Sequence, residues 1–355
     1  KVTAKITEAD GTVLKDGARV APVNLTLHSL FKDVILKANG TIINQATGCY
    51  PFKAYIETNF TYSTAGKSGA VGIPQMYYKD KAGAFNGTAA LVNAGFDSRV
   101  DKFAKSALVE MGGRLHLDMF MQNKLIIPGI RFSLTLIPSP TQFHVLSGTV
   151  PPTEKLTITK IVLKVRRLNL TSNAALNVEK ALSKNPIKYP VTHSVVRTAH
   201  VNPGQTLISN FVIHNGQIPR FVIITFVEAS SFMGNSIQNP FNFSLRKCES
   251  AQLSVNGRLF PPLPYSPKNS WIDPYLCSLR IARKYYTDSD TGLTLDDFLK
   301  NGHQILPFDL APYEIGVPPK SNGVVTFNGQ WPNTAFDDSC VMLFYILWDN
   351  TINID

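Results

Sequence analysis

Apolar and polar side chains alternate with a period of two through most of this chain, and that pattern admits few folds. Successive side chains of a strand point to opposite faces, so alternation marks a strand with one buried face. Val23, Leu25 and Leu27 point one way, as do Phe132, Leu134 and Leu136 within Arg131–Ile137. In Lys160–Arg167, Ile161, Leu163 and Val165 alternate with Lys160, Val162, Lys164 and Arg166. Two runs, Phe221–Val227 and Cys340–Trp348, are apolar at every position, apart from Thr225, which predicts central strands covered on both sides. Asn39-Gly40, Asn256-Gly257 and Asn328-Gly329 each follow a strand-like run. Asn-Gly suits a type I′ hairpin because both residues tolerate positive φ.

Helical spacing is rare and short. Pro51–Tyr62 has Pro in its first turn and Phe52, Tyr55, Ile56 and Phe60 on one stripe. Ser98–Val109 places Val100, Phe103, Ala104, Ala107 and Leu108 together, and Ser172–Lys184 carries Ala175, Val178, Ala181 and Leu182 before stopping at Pro186. Thr294–Asn301 has capping signals at both ends, Thr294 with Asp297 three residues on and Gly302 beyond. Charged residues are 17% of the chain, against roughly 25% in an average soluble domain, which argues against coiled coils and polyelectrolyte disorder. Apolar residues are 44% of 355, enough for two domains or one large β domain. The longest wholly apolar run, Val341–Trp348, spans eight residues, well short of the about 20 that a membrane-crossing helix needs. No secretory leader is visible, and a start at Lys1 without Met is compatible with processing.

The order of features in the first half recurs in the second. A strand ends in Asn39-Gly40 and another in Asn256-Gly257; Pro51-Phe52 is matched by Pro274-Tyr275, and Tyr77-Tyr78-Lys79-Asp80 by Tyr285-Tyr286-Thr287-Asp288. A helix with Phe103-Ala104-Lys105 matches one with Phe298-Leu299-Lys300. Each runs into a Gly, Gly112 or Gly302, and then a strand ending in Asp118 or Asp309. Arg131–Ile137 with Thr159–Leu168, and Val324–Phe327 with Cys340–Trp348, close the halves. The simplest account is a mainly β chain of two tandem domains of one topology, each the size of an eight-stranded β-sandwich, with short inserted helices. Residues 1–170 and 189–355 would be the two domains, with 171–188 a helical connector.

The segments carrying the repeat also resemble a known family. His28-Ser29-Leu30-Phe31-Lys32-Asp33 leads to Leu36-Lys37-Ala38-Asn39-Gly40, then to Tyr50-Pro51-Phe52-Lys53-Ala54-Tyr55-Ile56-Glu57-Thr58 and Tyr78-Lys79-Asp80. Gly113-Arg114-Leu115-His116-Leu117-Asp118-Met119-Phe120 and Asn239-Pro240-Phe241-Asn242-Phe243 complete the set. In this order they resemble the major capsid (hexon-like) proteins of Polinton and adintovirus elements, from about Val23 to the end. The resemblance implies a double jelly-roll fold, a homotrimer of pseudo-sixfold outline, and an icosahedral shell around double-stranded DNA. It implies neighbouring capsomers, penton proteins and minor capsid proteins as partners, residence in the virion, and assembly inside a host cell. A chain this short implies a compact capsomer with short towers.

The chemical signals are weak beside the architectural ones. Ala65-Gly66-Lys67-Ser68 looks like the end of a phosphate-binding loop, but Thr61 stands where that loop needs Gly. Asp288-x-Asp290 suggests a calcium loop, but Leu293 occupies the place of the obligatory Gly. His116 and Asp118, two apart on an expected strand, share a face without a third ligand, so a structural hydrogen bond or an exposed pair is expected. Cys49, Cys248, Cys277 and Cys340 have no paired spacing and read as buried free thiols. Sequons at Asn24, Asn39, Asn59, Asn86, Asn169 and Asn242 read as chance in so Asn- and Thr-rich a chain. No nucleophile motif is present, and neither catalytic residues nor a cofactor are expected. A cupin-type enzyme would need clustered His and carboxylates. A β-sandwich lectin or receptor-binding protein, the other alternative, would usually carry a leader or disulfides.

Basic residues give the one candidate surface. The net charge is +10. Lys160, Lys164 and Arg166 share one strand face, and Arg280, Arg283 and Lys284 share one face if Tyr275–Tyr286 is helical. The plain reading is a solvated face; the functional one is nonspecific contact with packaged double-stranded DNA through its phosphates, or pairing with carboxylates of a neighbouring chain.

Overall fold

A computed structural model of the chain describes residues 1–44, 46–84, 93–147, 152–182, 187–311 and 321–354. The first half runs β1 (Val2–Glu8), β2 (Ala21–Pro22), α1 (Thr26–Ser29), β3 (Phe31–Ala38), β4 (Thr41–Ile42), α2 (Tyr50–Thr61) and α3 (Thr64–Ser68). It continues through α4 (Ala94–Phe103), β5 (Val109–Met111), α5 (Asp118–Met121), β6 (Phe132–Pro138), α6 (Thr141–His144), β7 (Val145–Leu146), β8 (Glu154–Ile161) and α7 (Ser172–Leu182). The second half runs β9 (Ile187–Val201), β10 (Leu207–Gln217), β11 (Phe221–Glu228), α8 (Ala229–Met233), β12 (Ser250–Val255) and β13 (Arg258–Tyr265). It ends with α9 (Ile272–Ile281), α10 (Leu295–Lys300), β14 (Leu306–Asp309), β15 (Asn322–Gln330) and β16 (Cys340–Ile354). Among the described residues, eight strands precede α7 and eight follow it.

All strand pairs are antiparallel. The second half stacks β14-β11-β16-β9 on β10-β15-β12-β13, the two four-stranded sheets of a jelly roll. The first half repeats part of this order. Its sheet β5-β1-β8 corresponds to β14-β11-β16, and β4-β3-β6 corresponds to β13-β12-β15. A small ladder, β2-β7, is added. The helices fall in matching places too, α2 and α4 between β4 and β5, α9 and α10 between β13 and β14.

The local chemistry explains these elements. Asn39-Gly40 (φ 49° and 87°) turns β3 into β4, and Asn256-Gly257 (φ 49° and 84°) turns β12 into β13. Asn328-Gly329 instead lies inside β15. Gly is needed there because a Cβ on Gly329 would stand 2.4 Å from the Trp331 ring. At Thr294 the capping box forms as expected, its hydroxyl accepting from Asp297 N while the Asp297 carboxylate accepts from Thr294 N.

Other expectations shift. Val23, Leu25 and Leu27 are all buried but are not a strand, because Leu25 takes a left-handed turn (φ 52°) into α1. The stretch expected over Ser98–Val109 starts earlier, at Ala94, where Asn93 accepts from Phe96 N as its cap. That helix stops at Phe103 because Lys105 and Ser106 are left-handed. The strand expected to end in Asp118 is β5, and Asp118 opens α5 instead. Asn86, Lys184 and Pro186 lie outside the described residues.

Three apolar cores hold the molecule. One lies inside the second jelly roll, around Val222, Ile224, Phe226, Phe327, Trp331 and Phe344. One lies inside the first, around Ala4, Ile6, Val34, Leu36 and Phe103. The third joins them: Phe52, Tyr55, Ile56 and Phe96 of the first half pack on Ile223, Val227, Leu343 and Tyr345 of β11 and β16. Those two strands therefore bury both faces, even positions one way and odd positions the other, which is why Phe221–Val227 and Cys340–Trp348 are apolar almost throughout. Each such side chain contributes about 1.5–3 kcal/mol when fully buried.

Candidate functional site

Two features carry chemistry, a buried polar cluster at the junction of the halves and the basic surface. The cluster is built on α2, which sets Tyr50, Lys53 and Glu57 at three- and four-residue spacing on one face. β9 supplies His193 and Ser194, β16 supplies Tyr345, the turn after β5 supplies His116, and Asp118 opens α5. Glu57 Oε1 accepts from Ser194 Oγ (2.7 Å) and Tyr345 OH (3.1 Å), and Oε2 from His116 Nδ1 (2.6 Å). Asp118 Oδ1 accepts from Lys53 Nζ (2.8 Å), and Oδ2 from His193 Nδ1. Lys53 also donates to the Ser194 carbonyl at 3.0 Å. Behind them His28 bonds the Tyr50 hydroxyl (2.8 Å) and Gln75 Oε1 (2.6 Å), and Tyr50 OH accepts from His116 N.

The charges are set by burial against pairing. Burial alone would raise both carboxyls; the Lys53 ammonium, then the histidine hydrogen bonds, outweigh it and hold Glu57 and Asp118 below their ordinary values. Burial, reinforced by His116, pushes His28 well down, so it stays neutral. Every carboxylate oxygen in the cluster already accepts from a neighbour, and the side chains of Lys53, Glu57 and Asp118 are 12%, 12% and 4% exposed. The arrangement pins one jelly roll to the other, with Lys53, His116, His193, Ser194 and Tyr345 all donating to its two carboxylates. His116 and Asp118 thus make structural hydrogen bonds, the first of the two roles expected of them.

The remaining motifs are consumed by the fold. Lys67 is buried and donates to Asn59 O, Asn59 Oδ1 and Thr291 O at 2.9, 3.1 and 2.6 Å. Burial lowers it to about 7. It ties α3 to the second half through the Thr291 carbonyl. Asp290 accepts from Thr64 N and Thr64 Oγ1 (2.9 and 2.7 Å), a second staple between the halves. All four cysteines are free and buried, and burial pushes Cys49 and Cys248 up to about 12, which keeps them as thiols. Among the described residues, no three His, Cys, Asp or Glu side chains come together to hold a metal ion.

Lys160, Lys164 and Arg166 are exposed. Lys160 sits on β8 opposite Thr3, whereas Lys164 and Arg166 follow the end of that strand. β8 ends at Ile161, short of the expected Arg167, because its partner β1 begins at Val2 and Ile161 is the residue opposite it. Arg280 and Arg283 are exposed and Lys284 half-buried. They do not form one helical face, since α9 ends at Ile281 and Arg283 is left-handed (φ 56°). Lys284 Nζ turns aside to Ser289 Oγ at 2.9 Å. The junction cluster had one legible signal in the sequence, Lys53 and Glu57 four apart on the stretch that carries Phe52, Tyr55 and Ile56. Its other members come from strands and turns that only the fold brings together.

No family model matches the sequence. An uncharacterized protein of Caenorhabditis elegans is 21% identical over 323 residues, 87% of this chain and 75% of that protein. In structure the chain is similar to VP54 of PBCV-1, as fitted into a reconstruction of the virophage Sputnik, with a TM-score of 0.52 and 10% identity over 100% of this chain and 87% of that one. The Faustovirus major capsid protein gives a TM-score of 0.49 at 9% identity, over 100% of this chain and 77% of that one. The likeness to VP54 is one of fold, the double jelly roll.

Proposed function

We propose that this chain is a structural protein of a virion, a major capsid protein of the kind carried by Polinton and adintovirus elements. The observation that supports it most is the double jelly roll itself. Two sandwiches of related strand order stand on one shared, doubly buried layer, so each chain offers two similar wall units. Three chains around a closed axis then give six such units, a pseudo-hexagonal block that can tile a shell. In this reading residues 1–170 and 189–355 are the wall units and 171–188 joins them. The work of the protein is assembly into an icosahedral shell around double-stranded DNA, beside penton and minor capsid proteins, inside a host cell.

The test is mass in solution followed by electron microscopy. The trimer of a 39.1 kDa chain has a mass of about 117 kDa, three times one chain. The expected result is that mass at micromolar concentration, with threefold particles of hexagonal outline. A chain that stays at 39.1 kDa and enters no particle overturns the proposal.

A further inference from the structure

Lys67 lies in the corner where α2 turns into α3. It is 5% exposed, and Asn59 and Tyr77 beside it are 4% exposed each. The hydrogen bonds of Nζ run to neutral oxygens, the Asn59 carbonyl (2.9 Å), the Asn59 side-chain Oδ1 (3.1 Å) and the Thr291 carbonyl (2.6 Å). Carbonyl dipoles offset a buried charge less well than a carboxylate does, so an ammonium held this way keeps much of its desolvation cost. Burial therefore favours the free amine. Lys79 works with burial, Asp290 and Asp297 work against it, and the balance lowers the group to about 7.

A free amine has two N–H groups and one lone pair, and three oxygens surround this one. The two backbone carbonyls are the nearer acceptors. With the N–H groups on them, the lone pair faces the Asn59 side-chain amide. That amide is polarised for attack, because Tyr77 OH donates to the same Oδ1 at 2.8 Å, where the negative charge of a tetrahedral intermediate gathers. The Tyr77 ring also covers Nζ at 5.6 Å. Given a C=O bond of about 1.23 Å, Nζ stands no more than about 4.3 Å from Cγ. A shift of about 1 Å brings the two atoms to near-attack separation, about 3–3.5 Å.

We propose that Lys67 Nζ and the Asn59 side chain condense into an intramolecular isopeptide bond. Nζ attacks Cγ and the new C–N bond forms; the Cγ–Nδ2 bond breaks; the proton that Nζ loses goes to Nδ2, which leaves as ammonia. The step consumes no oxidant, metal or further reactant. Among the described residues no carboxylate hydrogen-bonds Nζ, so the proton passes between the two nitrogens directly and the bond forms gradually after folding. The secondary amide keeps one N–H for the Thr291 carbonyl, and the buried charge is gone. The α2–α3 corner, which Lys67 and Thr64 tie to the second half, is then closed covalently. The bond depends on this corner and not on assembly, so it goes beyond the capsid reading.

Mass spectrometry of the folded chain, held at about pH 8 where the amine is mostly free, tests this. The expected result is a gradual loss of about 17 Da, one ammonia per chain. Trypsin then fails to cut after Lys67, and residues 54–79 come off as one peptide carrying the same loss. Tyr77→Phe should form the bond at least about tenfold more slowly, and Lys67→Met should lose nothing. A parent chain that keeps its full mass after several days overturns the proposal. So does a loss of the same size with cleavage after Lys67 intact, which would be a succinimide at Asn59, and so do equal rates in Tyr77→Phe and the parent. If the variants do not fold, the peptide map of the parent decides alone.

Discussion

Asp118 holds two donors, Lys53 and His193, on opposite oxygens of one buried carboxylate. Removing it takes the nearest carboxylate from the Lys53 ammonium, leaving Glu57 at 4.0 Å, and leaves His193 Nδ1 without its acceptor. Asp118→Ala should therefore cost about 3–5 kcal/mol of stability, read as a lower urea midpoint; a loss under about 1 kcal/mol would mean the cluster is solvated and holds nothing together. The same cluster fixes how stability follows pH. The folded pKa values of Glu57 and Asp118 lie below the unfolded ones, so their contribution is complete above the ordinary carboxylate range and is lost as pH falls through the folded values. Histidines act earlier. Burial lowers His144 to about 4, so between about pH 6.5 and 4 the unfolded chain binds a proton that the folded chain refuses, and stability falls by up to about 1.4 kcal/mol per pH unit for that group. His28 adds to the slope in the same direction. Urea midpoints at pH 7.5 and 5 should converge in His144→Gln relative to the parent. An unchanged gap would show that His144 is not the source. At this scale the sequence exposes Lys53 and Glu57 through their helical spacing. Asp118 it places on a strand, because the turn between Met111 and Asp118 leaves no periodic mark.

At the scale of elements, period two finds the strands and pairing decides where they end. Ile161 stops β8 although Leu163 and Val165 continue its pattern, since β1 begins at Val2 and offers them no partner. Left-handed residues trim the helices in the same way, Lys105 and Ser106 after α4 and Arg283 after α9, and none of these positions is a Gly that would have signalled it. The hairpins are more legible because Asn-Gly carries its own conformation. Gly257 sits at φ 84° between β12 and β13, with open space where a Cβ would go, so Gly257→Ala meets no clash and tests the backbone alone. It should cost about 1–2 kcal/mol, while Asn256→Gly should change stability by only a few tenths. Thermal melts of the two variants measure the difference; equal melting temperatures would mean the turn relaxes to another type.

The whole molecule is legible as a repeat because order survives when loop lengths do not. Which faces the two halves turn to each other is not, since Ile223 and Ile224 are alike in sequence and enter different cores. The basic surface belongs to this scale as well, because its meaning depends on whether the proposed shell forms. In that shell, positive charge facing the interior, from a chain of net charge +10, would lower the energy of packed DNA by releasing counterions from its phosphates, whatever the sequence. Lys160, Lys164 and Arg166 are exposed and close in the chain, which suits them to that role better than Lys284, already turned toward Ser289. Replacing those three by Gln should weaken retention of double-stranded DNA by assembled protein and lower the slope of log affinity against log salt by roughly 0.9 for each phosphate no longer neutralised. The Arg280 and Arg283 pair, changed in the same way, gives an independent reading of the second surface. If instead the charges meet carboxylates of adjacent subunits, the DNA slope will stay where it was and the trimers or their contacts will come apart at lower salt. That outcome would move these residues from the genome to the joints between subunits.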